Sequence, residues 1–337
     1  MKKFRIVNCA EVVGSKNWTF LQDELSDVDA EWTFHRCEPA NWLERTVRKP
    51  QISRFRACLR AALDARFANS VIVSHLPRAT WWTEYFNQTL GGRKPHIAFS
   101  FNFTDVPTDR QKVMMMRSFR TIDRFVVYST VEKHLYSEYF DIDPARIDVL
   151  LWAMDTPKIG PHSPLVEGEY VCAVGGEGRD YPTLFAAIRQ LPEIQLVVVA
   201  RPSNLSGLKI PPNVKVFTNL PSQSFWNVVK FSKFSVIPLR NEQTNCGHIS
   251  LVGSMLFGKP LIATNSRGID DYVEVGKNGL VMKAGDSEAL ADAIQRLWND
   301  SGLFRRMAEL SLQFSHDRHR PHNWVDYLRR YLADKMP

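Results

Sequence analysis

Strands that alternate with helices, two glycine loops that each follow a strand, and a proline- and glycine-rich stretch between the halves predict an α/β protein of two Rossmann-like domains. The first loop, Gly14-Ser15, follows the strand Phe4–Ala10, and the second, Gly175-Gly-Glu-Gly178, follows the strand Tyr170–Val174. The dividing stretch holds Pro157, Gly160, Pro161, Pro164 and Gly168. At 337 residues and 44% hydrophobic content, the chain has material for two cores. No apolar run approaches the length of a membrane-spanning helix. Met1-Lys-Lys-Phe-Arg-Ile-Val7 is read as a first strand rather than a targeting signal, because its apolar part is short and Asn8, Glu11 and Lys16 interrupt it. The five cysteines, at 9, 37, 58, 172 and 246, are odd in number and show no paired spacing. That pattern predicts reduced thiols in a cytoplasmic protein, with no disulfide framework and no metal site.

The net charge of +7 is unevenly placed, with 15 Lys/Arg against 6 Asp/Glu between Trp42 and Arg124. An anionic partner for that half follows. Within residues 42–66, Ile52, Phe55, Leu59, Leu63 and then Phe67 fall on a helical stripe, and Arg54, Arg56, Arg60 and Arg66 lie mostly off it. Such a helix fits either an anionic membrane surface or a core-facing position with a solvated basic face. No aromatic–basic strand pattern points to nucleic acid. Val71–His75 reads as a buried strand with His75 at its carboxyl end, where ligands of parallel sheets sit. A histidine satisfied by nearby backbone is the alternative. His96–Asn102 is the next strand, with Asn102 at its carboxyl end, and Met114, Met115 and Met116 are read as core packing on a helix. Asp141-Ile-Asp143 precedes Pro144 in a helix-to-strand connection and is rejected as a metal-binding pair.

In the second half, Arg179 follows the glycine loop, and Pro182 suits the first turn of a helix. Leu196–Ala200 and Val214–Phe217 are strands, followed by Arg201-Pro202 and by Thr218-Asn219-Leu220 respectively. The most informative stretch is Asn245–Thr264. A loop ends at Cys246-Gly247-His248, an apolar helix carries Ile249, Val252, Leu256 and Phe257, Gly258-Lys259-Pro260 stops it, and Leu261–Ala263 is a buried strand. Free N–H groups at such a helix start attract an anion, typically a phosphate. An ordinary βαβ unit whose glycine only turns the chain is the alternative.

This stretch resembles the donor-binding segment of the family-4-like (group 1) retaining glycosyltransferases. Pro238, Gly247, Met255, Gly258, Pro260, Ala263 and Thr264 fall in register with the family pattern, and Gly268–Val273, Gly276–Val281 and Asp286–Trp298 resemble its continuation. The family's paired glutamates fall on Asn245 and Gly253, and a histidine frequent in the family falls on Phe101 or Asn102. The resemblance implies a GT-B fold, two Rossmann-like domains with a cleft between them. It implies an acceptor domain over 1–157, a linker over 158–168, a donor domain over 169–314 and a last helix, 315–337, crossing back to the first domain. The implied activity is transfer of a sugar from a nucleotide diphosphate sugar to a hydroxyl acceptor, retaining, and needing neither metal nor cofactor. Taken with the basic stretch 42–66, this favours glycolipid or cell-surface polysaccharide synthesis on a glycan or lipid-linked acceptor, in the cytoplasm or peripherally at the inner face of the membrane. His75, Asn102 and Asn245 are the candidate catalytic residues. Gly14, Gly176, Arg179, Arg201, Asn219, Leu220, Asn245, Cys246, Gly247, His248, Ile249 and Ser250 are the candidate donor contacts, with Arg179 at the family's diphosphate-binding lysine. The alternatives are a catalytically inactive binding or scaffold protein on the same fold, and a nucleotide-sugar epimerase.

Overall fold

The computed structural model describes residues 4–11, 20–47, 51–66, 69–90, 92–103, 106–243 and 247–336. These form two compact units, residues 1–150 with 322–337, and residues 151–321. The division falls at Leu150–Leu151, ahead of the stretch expected to link the domains. Residues 159–166 instead pack on the second unit, where Asn227 Nδ2 donates to the Pro161 and Ser163 carbonyls and Asn227 Oδ1 accepts from Leu165 N.

The first unit opens with β1 (Phe4–Ala10), α1 (Phe20–Glu24), β2 (Ala30–Arg36), α2 (Trp42–Thr46) and α3 (Ile52–Arg66). It continues through β3 (Ser70–His75), α4 (Pro77–Thr89), β4 (His96–Phe99), α5 (Asp109–Phe119), β5 (Arg124–Val127), α6 (Thr130–Phe140) and β6 (Ile147–Val149). The strands form one parallel sheet in the order β2-β1-β3-β4-β5-β6. β3 and β4 are buried at every residue, as sheets covered on both faces require. A buried polar chain ties α4 to the sheet: Glu84 Oε2 meets His96 Nδ1 at 2.6 Å, His96 Nε2 meets Ser74 Oγ at 2.7 Å, and Ser74 Oγ meets Thr80 Oγ1 at 2.7 Å. Ser129 caps α6 by accepting from Glu132 N, and the Glu132 carboxylate accepts from Tyr128 N at 2.8 Å. Asp141 ends α6 in the left-handed region and Asp143 caps the turn that follows, accepting from Ala145 N, so both carry out local backbone duties.

Two expected faces are corrected. α3 buries Ser53, Ala57, Cys58, Ala61, Ala62 and Ala65, whereas Ile52, Phe55 and Leu63 are half-buried and Leu59 is exposed. Phe67 lies outside the residues whose side chains are described. The small residues let the helix approach the sheet closely, which the larger apolar stripe would prevent. On α5, Met115 is buried and Met116 packs against the core, but Met114 is exposed.

The second unit contains β7 (Val171–Val174), α7 (Tyr181–Ile188), β8 (Leu196–Ala200), α8 (Pro202–Leu205), β9 (Val214–Thr218) and α9 (Ser222–Phe231). β10 (Ser235–Ile237), α10 (His248–Leu256), β11 (Leu261–Thr264), β12 (Gly279–Met282), α11 (Ser287–Asn299) and α12 (Ser301–Arg318) complete it. The last helix, α13 (His322–Lys335), belongs to the first unit. There Trp324 stacks on Tyr128, and Tyr327 packs on Phe99 and donates to Asp148 Oδ2 at 2.6 Å. The second sheet is also parallel, in the order β9-β8-β7-β10-β11-β12. Its order reverses between β7 and β10, the topological switch point at which doubly wound sheets bind ligands. α10 is buried from Ser250 to Leu256, as expected of a helix apolar on all sides. It ends at the predicted stop: Gly258 (φ +65°) donates to Met255 O and Lys259 N donates to Ser254 O. Ile249, expected among its core positions, is 52% exposed.

Candidate functional site

At the switch point of the second sheet, β7 runs into Gly175 (φ +111°), Gly176, Glu177 and Gly178 (φ +64°). The loop folds back against the residues after β10: Asp180 N donates to Pro238 O at 2.9 Å and Arg240 N to Gly178 O at 3.0 Å. This closure turns the Arg179 side chain inward, leaving the residue 3% exposed. Its guanidinium donates to Val174 O (3.3 Å), Glu177 O (3.1 Å) and Ser250 Oγ (3.2 Å). Ser250 is buried in the first turn of α10.

Two glycines admit the guanidinium. A Cβ on Gly175 would stand 2.8 Å from Arg179 Nη2, and one on Gly247 would stand 3.2 Å from Nη1. Gly247 is also the N-cap of α10, at φ +96°, with no side-chain cap. The helix start therefore keeps its own N–H groups uncapped by a side chain, directly beside a buried positive charge. Both features favour an anion.

His248, the first residue of α10, lies over Tyr272 at 4.6 Å, and Tyr272 stacks on His319 at 5.3 Å. Tyr272 Oη accepts from Trp152 N at 2.9 Å, and His319 Nδ1 meets Trp152 O at 2.9 Å. Burial, with the neighbouring His319 and the Arg179 charge, lowers the His248 pKa to about 4. Burial likewise lowers His319 to about 4. Both imidazoles are thus neutral at neutral pH, and His248 brings a polar edge to the start of α10 without an added charge.

The candidate residues divide into groups. Gly176, Arg179, Gly247, His248 and Ser250 converge at the switch point. Arg201 borders the group: its aliphatic stem packs on Gly176, its guanidinium meets exposed Glu177 at 3.4 Å, and Asn204 Nδ2 donates to Gly176 O. Asn219 (φ +53°, exposed) and half-buried Leu220 lie after β9, at the carboxyl edge of the same sheet. Ile249 faces outward. His75 and Asn102 belong to the first unit. His75 ends β3 wholly buried beside Phe99, and burial lowers its pKa well below the ordinary value, the surroundings of the interior histidine that is its alternative reading. Asn102 is half-buried, its N–H bonded to Ser100 O. Gly14, Asn245 and Cys246 lie outside the described residues.

Sequence reasoning missed Tyr272, His319 and the partner of Gly253. A Cβ on Gly253 would stand 2.2 Å from Trp226 Cη2 and 2.3 Å from Cζ3. The α9 tryptophan thus closes the position on which a family glutamate falls. Nothing local to residue 253 signals a tryptophan 27 positions earlier.

Comparison with known proteins bears on the fold and on part of the second unit. Residues 181–300, just over a third of the chain, match the family model described as glycosyl transferases group 1, so the chain carries a group 1 glycosyltransferase domain over these residues. Relatives share short stretches. The lipopolysaccharide core biosynthesis glycosyltransferase LpsE of Rhizobium meliloti is 24% identical over 46% of this chain and 45% of its own length. A probable sucrose-phosphate synthase 2 of Oryza sativa is 30% identical over 33% of this chain and 10% of its own. The chain thus spans less than half the length of the curated relatives it matches. In structure, Anabaena HepE in complex with UDP is similar with a TM-score of 0.74 at 13% identity, over 98% of this chain and 100% of that one. The fold is GT-B.

Proposed function

We propose that the protein is a glycosyltransferase that holds the diphosphate of a nucleotide-sugar donor at the switch point of its second unit. The buried Arg179 charge behind Gly175 and Gly247, at the uncapped start of α10, carries this reading. In transfer, the bond from the sugar C1 to the diphosphate oxygen breaks with its electron pair, the acceptor oxygen bonds C1, and the acceptor loses its proton. Negative charge grows on the departing diphosphate. A fixed guanidinium and helix-start N–H groups stabilise that charge without reorganising, so this reading assigns the charge stabilisation to protein groups rather than to a metal. Retention of configuration follows from the family likeness alone. A uridine diphosphate donor is the first choice, because the similar HepE structures are complexes with UDP and with UDP-glucose.

The acceptor is proposed to be a glycan or lipid-linked saccharide of cell-surface polysaccharide synthesis, in keeping with the stated role of LpsE. Membrane contact narrows to part of the basic segment. Arg54 pairs with Glu11, and Arg56 with Glu44 at 2.8 Å, whereas Trp42 (75% exposed), Leu43, Arg45 and Arg60 face solvent. No helix among the described residues is long and apolar enough to cross a membrane.

A thermal-shift series with UDP, GDP, ADP, dTDP and CMP, followed by transfer assays with the matching donor and membrane extract, tests the proposal. One diphosphate should stabilise the protein selectively. Arg179→Ala should weaken that binding roughly 10- to 100-fold, the worth of a charge-assisted contact, and Arg179→Lys should recover part of it. Absence of both binding and turnover overturns the proposal. Binding without transfer would favour the inactive-protein reading, which the closed Gly253 position supports because no side chain there can hold a ribose.

A further inference from the structure

Three of the five cysteines, unrelated by spacing, meet inside the first unit. Cys9 comes from β1, Cys37 from the residue after β2, and Cys58 from the middle of α3. All are buried, at 0%, 2% and 0% exposure. Their sulfur atoms lie within 4.8 Å of one another, and Cys9 Sγ and Cys58 Sγ are 3.9 Å apart. Their spacing along the chain gives no sign of this convergence.

We infer that Cys9, Cys37 and Cys58 form a binding site for one thiophilic d10 cation, zinc(II) or copper(I), separate from the nucleotide-binding region. A cation with metal–sulfur bonds of about 2.3 Å needs sulfurs about 3.8 Å apart in tetrahedral geometry and about 4.0 Å apart in a trigonal plane. The Cys9–Cys58 separation already meets this, and the remaining pairs need at most a shift of under about 1 Å. Soft thiolates select these ions over hard cations. Arg54 of α3 and its partner Glu11 stand beside Cys37. Thr83, fully buried on α4, is turned toward Cys58, and its hydroxyl has no other hydrogen-bond partner among the described residues. On metal binding the three sulfurs lose their protons to solvent, the metal keeps its oxidation state, and the Cys58 S–H contact to Ala79 O at 3.5 Å is given up.

The test is elemental analysis of the full-length protein purified from cells grown with and without added zinc or copper. Alongside it, thiols are titrated after denaturation in the presence of a chelator. The expected result is about one zinc or copper ion per chain and five titratable thiols. Cys9→Ser or Cys37→Ala should lower the metal content at least tenfold, and Cys172→Ser, at a buried cysteine outside the cluster, should leave it unchanged. Wild-type protein with less than about 0.1 ion per chain under every growth condition overturns the inference without reference to any variant. Five free thiols would then mean ordinary core cysteines, and three would mean a disulfide within the cluster. Neither outcome bears on the nucleotide test of Arg179.

Discussion

Gly253→Ala sets helix propensity against packing, and the structure decides the sign. In the middle of a helix, alanine is favoured over glycine by about 1 kcal/mol. At Gly253 the new methyl would stand 2.2 Å from Trp226 Cη2, more than 1 Å inside ordinary contact. The indole cannot retreat freely, since it is 7% exposed and packed against Phe225 at 4.9 Å and Phe257 at 6.2 Å. Overpacking of a filled core costs roughly 1–3 kcal/mol, and a clash this deep belongs at the upper end. The net expectation is a destabilisation of about 1–2 kcal/mol, or a melting temperature lower by roughly 3–8 °C for a unit of this size. The assay is denaturant unfolding of wild type, Gly253→Ala, Trp226→Leu and the double variant. With the ring removed, the alanine should stabilise by about 1 kcal/mol, so the cycle should return a coupling of at least about 2 kcal/mol. A stabilised Gly253→Ala, or a coupling within about 0.5 kcal/mol of zero, would refute the claim that Trp226 closes this position.

Two further expectations concern pH. His319 is 1% exposed with its pKa lowered to about 4 by burial, against about 6.5 unfolded. The unfolded chain binds the extra proton, so its contribution is full above pH 6.5 and is lost as pH falls toward 4, about 2 kcal/mol between pH 7.5 and 5. His319→Gln should flatten that part of the urea midpoint against pH, and an unchanged slope would refute the buried neutral imidazole. Glu132 has the opposite sign. Burial raises its carboxyl to about 7, so its contribution is full below pH 4.5 and declines as pH rises through 7. Glu132→Gln should remove this loss from the first unit, and a variant that weakens above pH 6 as the wild type does would refute it.

What was legible in the sequence was what is local. The Val-rich strands announce a parallel sheet because they are apolar on both faces, and Gly258-Lys259-Pro260 stops α10 where short-range stereochemistry says it must. Gly247 and Arg179 were marked by their places after strands. Which side of a helix meets a sheet was not legible at α3. There the alanines face inward because they are small, whereas hydrophobicity alone points to the larger residues. Contacts between residues distant in sequence were also beyond reach: Trp226 on Gly253, Tyr272 under His248, and the three converging thiols. Each depends on sheet order and helix register together, and spacing along the chain records neither.

The pairing of Met154 N with His319 O, and of His319 Nδ1 with Trp152 O, has a topological consequence. Residues 151–321 are an insertion between β6 and α13 of the first unit, and these bonds bring the insertion's two ends side by side. If α13 docked first, its docking would close a loop of about 170 residues. Once the inserted unit has folded, the same event closes a loop of only a few residues. Taking about 10 for the latter, loop-closure entropy favours the second order by roughly 2.5 kcal/mol. The inserted unit thus acts as a staple, its own folding shortening the loop that α13 must close to join the sheet begun at β1.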